Sequence, residues 1–256
     1  MRFDQCEAIV SAVIPCFNEE AAIADVVGGC LSCGVDEVIV VDGGSSDRTA
    51  EYARDAGARV VHEAKRGYGG ACAAGAAAVR PDCEIIVFLD GDGSDIPAFA
   101  QPIAAPVAEG RADFVMGSRV RGRREPGSLS GQQIAAGRAA GLLLRIVYGV
   151  RFSDMSPFRA IRRDTLMRLS MCETTYGWNL EMQMRAAAAG LRILEIPVDC
   201  RRRKGGVSKV SGNVRAGFAA AIAIGATFLR LALTLRFGCG ASVAADDPLA
   251  RLRGEP

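Results

Sequence analysis

EIIVFLDGDGSD, residues 84–95, carries a strand-like run directly into three carboxylates within six positions. The run is uninterrupted, aliphatic and aromatic, as in a strand buried on both faces. Asp90, Asp92 and Asp95 therefore fall at its carboxyl end, and the glycines between them predict a tight turn.

The segments before it repeat one pattern. AIVSAVIP (8–15) is a continuous apolar run closed by Pro15, and EEAAIADVVGGCL follows with helical spacing. DEVIVV (36–41) predicts a second strand, ending at Asp42 and the turn GGSSD. Asp47 or Ser46 is placed to cap a helix through Ala56, and ARVVH (58–62) reads as a third strand. GYGGACAAGAAAV (67–79) reads as a Gly-rich loop entering a helix of small residues. Four strand–helix repeats predict an α/β fold, a mostly parallel Rossmann-like sheet with helices on both faces. Such sheets bind ligands outside the carboxyl ends of their strands. Asp42, the 67–70 loop and the Asp90/Asp92 pair all fall on that edge.

Beyond it, DFVMGSR (113–119) predicts a fifth strand and 120–133 a mobile Gly/Arg/Pro loop. A helix is expected from about Ala135 to Tyr148, a short strand within 156–163 and a helix over 164–170. Another helix, 178–190, closes at Gly190 before a last strand at 191–198. AGFAAAIAIGATFL (216–229) has 14 apolar residues between Arg215 and Arg230, short of the ~20 that cross a bilayer. It reads as a helix that packs on the domain or lies in a membrane interface. The expected organisation is a catalytic domain over 1–213, an apolar helix over 214–238 and a disordered tail over 239–256.

Composition narrows the function. The 256 residues carry a net charge of +2, which argues against a dedicated nucleic-acid binder. Basic residues cluster at Arg119–Arg124 and at Arg201–Lys204 with Lys209, as anionic ligands would require. The amino-terminal segment has no apolar signal core, so a cytoplasmic location is expected. Nine cysteines without framework spacing read as buried small hydrophobes, and Cys30-x-x-Cys33 has no second pair. The only histidine is His62, which leaves little room for a Ser-His-Asp mechanism.

Three kinds of acidic site are spelled like DGDGSD. An EF-hand calcium loop needs Gly at its sixth position and Glu at its twelfth; Asp95 and Gln101 stand there. A phosphatase of the haloacid-dehalogenase type matches D-x-D-G-S, but its nucleophile usually opens the chain. A metal–diphosphate site of a nucleotide-sugar transferase needs D-x-D at a strand's carboxyl end, facing a nucleotide pocket built by earlier strands.

The third is supported by a wider likeness. VIPCFNEE (13–20), VVDGGSSDRT (40–49), RGYGGA (66–71), FLDGDGSD, GSR (117–119), DMSPFRAIRRDTL (154–166), YGWNLEM (176–182) and CRRRKGGVSKVSG (200–212) occur in one order. Together they resemble family 2 glycosyltransferases, in particular the dolichyl-phosphate mannose/glucose synthase-like branch. That resemblance implies a GT-A fold, a nucleotide-sugar donor and Mg2+ or Mn2+. It implies a nucleotide pocket of Pro15, Asn18, Glu19, Asp42, Gly67 and Asp90, with Asp92 and Asp90 on the metal and Asp90, Asp92 and Glu181 in the catalytic group. Arg119, Arg159, Trp178, Arg203 and Lys209 are implied on the phosphate and acceptor side.

The acceptor follows from acid–base chemistry. A hydroxyl acceptor needs a general base, and Glu181 is the candidate. A phosphate monoester is already an oxyanion at neutral pH, with a second pKa of about 6. The abundance of cations favours hexose transfer, with inversion, to a polyprenyl phosphate, with peripheral membrane contact. A hydroxyl acceptor using Glu181, and a non-catalytic nucleotide-binding subunit, remain the alternatives.

Overall fold

The computed structural model describes residues 8–63, 67–205 and 225–233. Its strands are β1 (Val10–Cys16), β2 (Glu37–Asp42), β3 (Arg59–His62), β4 (Ile85–Phe88), β5 (Phe114–Ser118), β6 (Arg159–Arg162) and β7 (Ile193–Pro197). They form one sheet in the order β3-β2-β1-β4-β6-β5-β7. All neighbouring pairs are parallel except β4–β6 and β5–β6, so β6 alone runs the other way.

Side chains alternate across this sheet with period two. Val13, Ile39, Val41, Ile86 and Phe88 face one core. Ala12, Ile14, Val38, Val40, Ile85 and Val87 face the other. Both faces are dry, which is why these strands read as unbroken apolar runs. The first core is covered by α3 (Tyr68–Ala78), α5 (Gly131–Tyr148), α6 (Arg163–Leu169) and α7 (Trp178–Ala188). Phe228 and Leu231, from the helical residues 225–233, complete it. The second is covered by α1 (Ile23–Ser32), α2 (Thr49–Asp55) and α4 (Ala100–Ala108). The rest of the expected 214–238 helix, and the 239–256 tail, lie outside the described residues. Among the described residues no helix is long and apolar enough to cross a membrane.

The sheet opens at one point. β1 pairs with β2 as far as Cys16↔Asp42, but with β4 only to Val13↔Phe88. The Leu89 amide donates to the Val13 carbonyl, so the odd-numbered residues of β1 present their backbone groups to β4. Pro15 is next in that row and has no N–H to give. The strands therefore part at their carboxyl ends. This is also where the strand order reverses, the crevice at which open α/β sheets bind ligands.

Candidate functional site

The β4 side of the crevice is the DGDGSD turn. Two glycines give it its shape. A Cβ on Gly91 would lie 2.3 Å from the Cys16 sulfur, so only glycine lets the turn lie against the end of β1. Gly93 has φ +79°, a left-handed conformation that favours glycine. The turn gathers three carboxylates. Asp92 and Asp95 are buried and Asp90 half-buried. Asp95 accepts the Asp90 amide at 3.1 Å, and Asp92 Oδ1 accepts the Ser94 amide at 2.8 Å. Asp95, which the sequence-based site left out, is thus the internal brace of the turn.

Crowding perturbs the turn electrostatically. Burial, then the charges of Asp92 and Asp95, push the Asp90 carboxyl well above the usual carboxylate range, with Arg119 opposing. Burial, with Asp92 and Asp154 adding, pushes Asp95 up to about 6 against the pull of Arg119 and the Asp90 amide. Carboxylates that disfavour one another's ionisation await a cation. One is supplied from the chain: Arg203 Nη2 lies 2.6 Å from Asp92 Oδ2. It arrives on a segment held by Arg201 N–H to Ser94 O and Lys204 N–H to Asp92 O, both 3.0 Å, with Lys204 also paired to Asp25. Among the described residues no three His, Cys, Asp or Glu side chains form a ready-made metal cage. An all-oxygen pair of carboxylates fits a hard divalent ion that draws its remaining ligands from phosphate and water.

The β1–β2 side of the crevice is a polar loop. Asn18 has φ +56°; its amide donates to Ser45 Oγ and its Oδ1 accepts the Ser46 amide. The Glu19 amide donates to Thr49 Oγ1. Asp42 ends β2 with its carboxylate buried; Oδ1 accepts the Ser45 amide and Oδ2 lies 3.2 Å from His62 Nδ1. Pro15, Asn18, Glu19 and Asp42 therefore do share one edge with Asp90 and Asp92. Gly67 stands at the amino end of α3, where a Cβ would meet the carbonyl of Thr174. One residue on, the buried Tyr68 hydroxyl faces Asp90 and Asn179 without a hydrogen bond of good geometry, a site residue that RGYGGA contained but sequence reasoning passed over.

The expected acceptor residues divide sharply. Arg119 forms a bidentate pair with buried Asp154, at 2.9 Å for both Nε–Oδ2 and Nη2–Oδ1. Its positive charge still bears on Asp90 and Asp95. Arg159 is fully buried; its guanidinium donates to the carbonyls of Ser156 and Asn179, and burial lowers its pKa to about 10. It offers no free phosphate-gripping face. Trp178 is likewise a core residue, edge-on to Phe88. Of these residues, among the described ones, only Arg203 pairs with the acidic turn; Lys209 lies outside the described residues.

Glu181 departs furthest from expectation. It has no exposed surface, and both oxygens are engaged: they accept the amides of Cys172 and Glu173 and the Arg185 guanidinium at 2.7–3.1 Å. Its work is to pin the 172–173 turn to α7. Its burial and these three donors set it inside the fold, away from solvent.

Comparison with known proteins agrees with this architecture. The family model described as "Glycosyl transferase family 2" matches residues 11–170. An uncharacterized glycosyltransferase of Mycobacterium bovis is 37% identical over 210 residues, covering 80% of this chain and 91% of that protein. An undecaprenyl-phosphate mannosyltransferase of Micrococcus luteus is 31% identical over 223 residues, covering 80% and 88%. Among solved structures, glucosyl-3-phosphoglycerate synthase from Mycobacterium tuberculosis, in complex with Mn2+, UDP and phosphoglyceric acid, superposes with a TM-score of 0.69 at 24% identity, covering 92% of this chain and 81% of that one. With the glycosyltransferase character of these relatives, the reading as a non-catalytic nucleotide-binding subunit falls away. The chain belongs to glycosyltransferase family 2 and is a GT-A enzyme.

Proposed function

We propose that the enzyme transfers a hexose from a nucleoside diphosphate sugar to a polyprenyl phosphate, inverting the anomeric centre. The nucleotide lies across the crevice, its base and ribose toward Asp42 and Asn18 and its diphosphate toward the DGDGSD turn. Asp92 and Asp90 are the residues that would hold Mg2+ or Mn2+. Bound there, the ion neutralises charge that grows on the departing diphosphate.

The observation that carries the acceptor assignment is the burial of Glu181 among polar partners of its own fold. A hydroxyl nucleophile must lose its proton in the transition state, and the one base expected for that task is locked to three polar partners. A phosphate monoester has no such need. Its oxygen attacks the anomeric carbon as the bond to the diphosphate breaks, and the nucleoside diphosphate leaves with the electron pair. Cations guide it: Arg203 at the rim of the turn and the positive field of Arg119 behind it. The Micrococcus luteus relative, named for transfer to undecaprenyl phosphate, supports the same class of acceptor, and the chain would work at a membrane's cytoplasmic face.

The test is incubation with radiolabelled GDP-mannose or UDP-glucose, polyprenyl phosphate and Mg2+ or Mn2+. Label passing into the organic phase with one donor, and lost on chelation, is the expected result. Label retained in a water-soluble product formed from a hydroxyl acceptor would overturn it.

A further inference from the structure

One outer face of the molecule has no role in the crevice, yet its chemistry is specific. α5 turns Ala140 and Leu144 into the core, while Leu142 and Ile146 are 57% and 71% exposed. Leu143 and Val147 are exposed beside them. At 100° per residue these four side chains share one side of the helix, and Arg138 and Arg145 line one edge of it. Arg138, Arg145 and Arg151 are all exposed, and no carboxylate among the described residues pairs with them. Exposed arginines elsewhere, such as Arg48, Arg80, Arg111, Arg168 and Arg192, do hold carboxylates. The reason lies in the sequence, which has no Asp or Glu from 126 to 153 and none from 200 to 245, while Arg and Lys recur through both stretches.

Residues 225–233 lie in the same core layer and also present leucines outward: Leu229 is 61% and Leu233 49% exposed. Both elements back onto the reactive crevice. Gly137 of α5 packs on Asp154, the partner of Arg119. Thr227 packs against Gly177, and Arg230 pairs with Glu173 in the loop that meets α3 beside Tyr68.

We propose that the outer face of α5 is a docking surface for the interface of an anionic lipid bilayer, with Leu142, Leu143, Ile146 and Val147 entering the headgroup boundary and Arg138 and Arg145 facing lipid phosphates. Apolar side chains bordered by cations without carboxylate partners match that medium and no aqueous one. The surface rests on the lipid-phosphate reading for its purpose, since it would bring the crevice to a membrane-borne acceptor. Its evidence is independent of that reading.

The test is flotation of the full-length chain with phosphatidylcholine vesicles containing about one-third phosphatidylglycerol, without polyprenyl phosphate. The wild type should float with these vesicles, less with pure phosphatidylcholine, and less again in high salt. Leu142→Gln/Ile146→Gln should weaken partitioning by about tenfold per residue, and Arg138→Gln/Arg145→Gln by about fivefold each. The second pair keeps the test decisive if the first fails to fold, which thermal melts would reveal. Absence of wild-type flotation overturns the proposal, as does flotation that neither pair alters. So does a dimer in light scattering that the Gln pair dissolves without any vesicle binding, since a second copy would then cover the face. Transfer to a short-chain polyprenyl phosphate in detergent should be retained by both pairs. Loss of flotation with retained transfer separates this surface from the acceptor assignment, and failure of transfer in every form counts against that assignment alone.

Discussion

Arg203 holds a guanidinium nitrogen 2.6 Å from Oδ2 of Asp92, the carboxylate we propose for the metal. One oxygen cannot fully serve both cations, so the pair must loosen when a divalent ion arrives with its diphosphate. Arg203→Ala should raise the affinity for Mn2+ alone by about fivefold, from the ~1 kcal/mol of a partly exposed pair. The same change should lower kcat/KM for transfer. Calorimetry without nucleotide, set beside steady-state rates, checks the opposite signs.

Asp92→Asn should be the more damaging change in the acidic turn, because Asp92 faces the cation that is present. Transfer should fall by at least about a hundredfold, the order expected when a preorganised electrostatic contact is lost. Chelation of divalent ions should reduce the wild type to the same level. Nucleotide binding measured with and without Mn2+ should show the metal-assisted component gone in the variant.

Glu181→Gln should cost stability rather than chemistry. The carboxylate is buried against two amides and Arg185, and breaking a buried pair costs about 3–5 kcal/mol, the neutral isostere less. At ~2–4 °C per kcal/mol for a chain of this size, the melting midpoint should fall by about 4–10 °C. Turnover per folded molecule should stay within about threefold. A complete loss of turnover in a protein with an unchanged midpoint would restore Glu181 as a base.

The Asp154–Arg119 pair sets an acid limit. Burial pushes the Asp154 carboxyl up, but the hydrogen bonds and charge of Arg119 outweigh it and leave the group below its ordinary range. A depressed folded value means that the carboxylate stabilises the fold above its unfolded pKa of about 3.9, and that this contribution fades as pH falls through the lower folded value. Asp154→Asn should therefore destabilise by about 3 kcal/mol at pH 7 and by progressively less below about pH 4. Denaturant melts across that range read the difference.

Gly91→Ala should damage the site through the backbone. The new methyl group would collide with the Cys16 sulfur at the end of β1, forcing the acidic turn away from the crevice. Transfer should drop by more than about tenfold, and Cys16→Ala/Gly91→Ala should recover part of it.

The central strands β1, β2, β4 and β5 were legible because burial on both faces leaves a short, unbroken apolar run. Each of the seven strands lies within two or three residues of its expected place. The direction of β6 was not legible: a strand of four residues reads alike in either sense. α4 escaped notice because Pro102 and Pro106 punctuate it. Pro102 falls in its first turn, where no internal hydrogen bond is lost, and Pro106 is tolerated because Ile103, Ala104 and Val107 are buried against the sheet. The start of α5 carried a signal, since Ser130 and Gln133 form a capping box, and the glycines around it masked that signal. In the site, the acidic turn and Asp42 could be read from the order of strands, whereas Asn18 and Glu19 entered only through the family resemblance. The fates of Glu181, Arg159 and Trp178 could not, because charge and aromaticity do not reveal whether a side chain points at ligand or is consumed by its own fold.

Pro15 leaves a lasting mark on the molecule. With no amide hydrogen in the row that faces β4, the seam beyond Val13 cannot be zipped by backbone pairing. A donor therefore meets a mouth that already stands ajar, and none of its affinity is diverted into prising two strands apart.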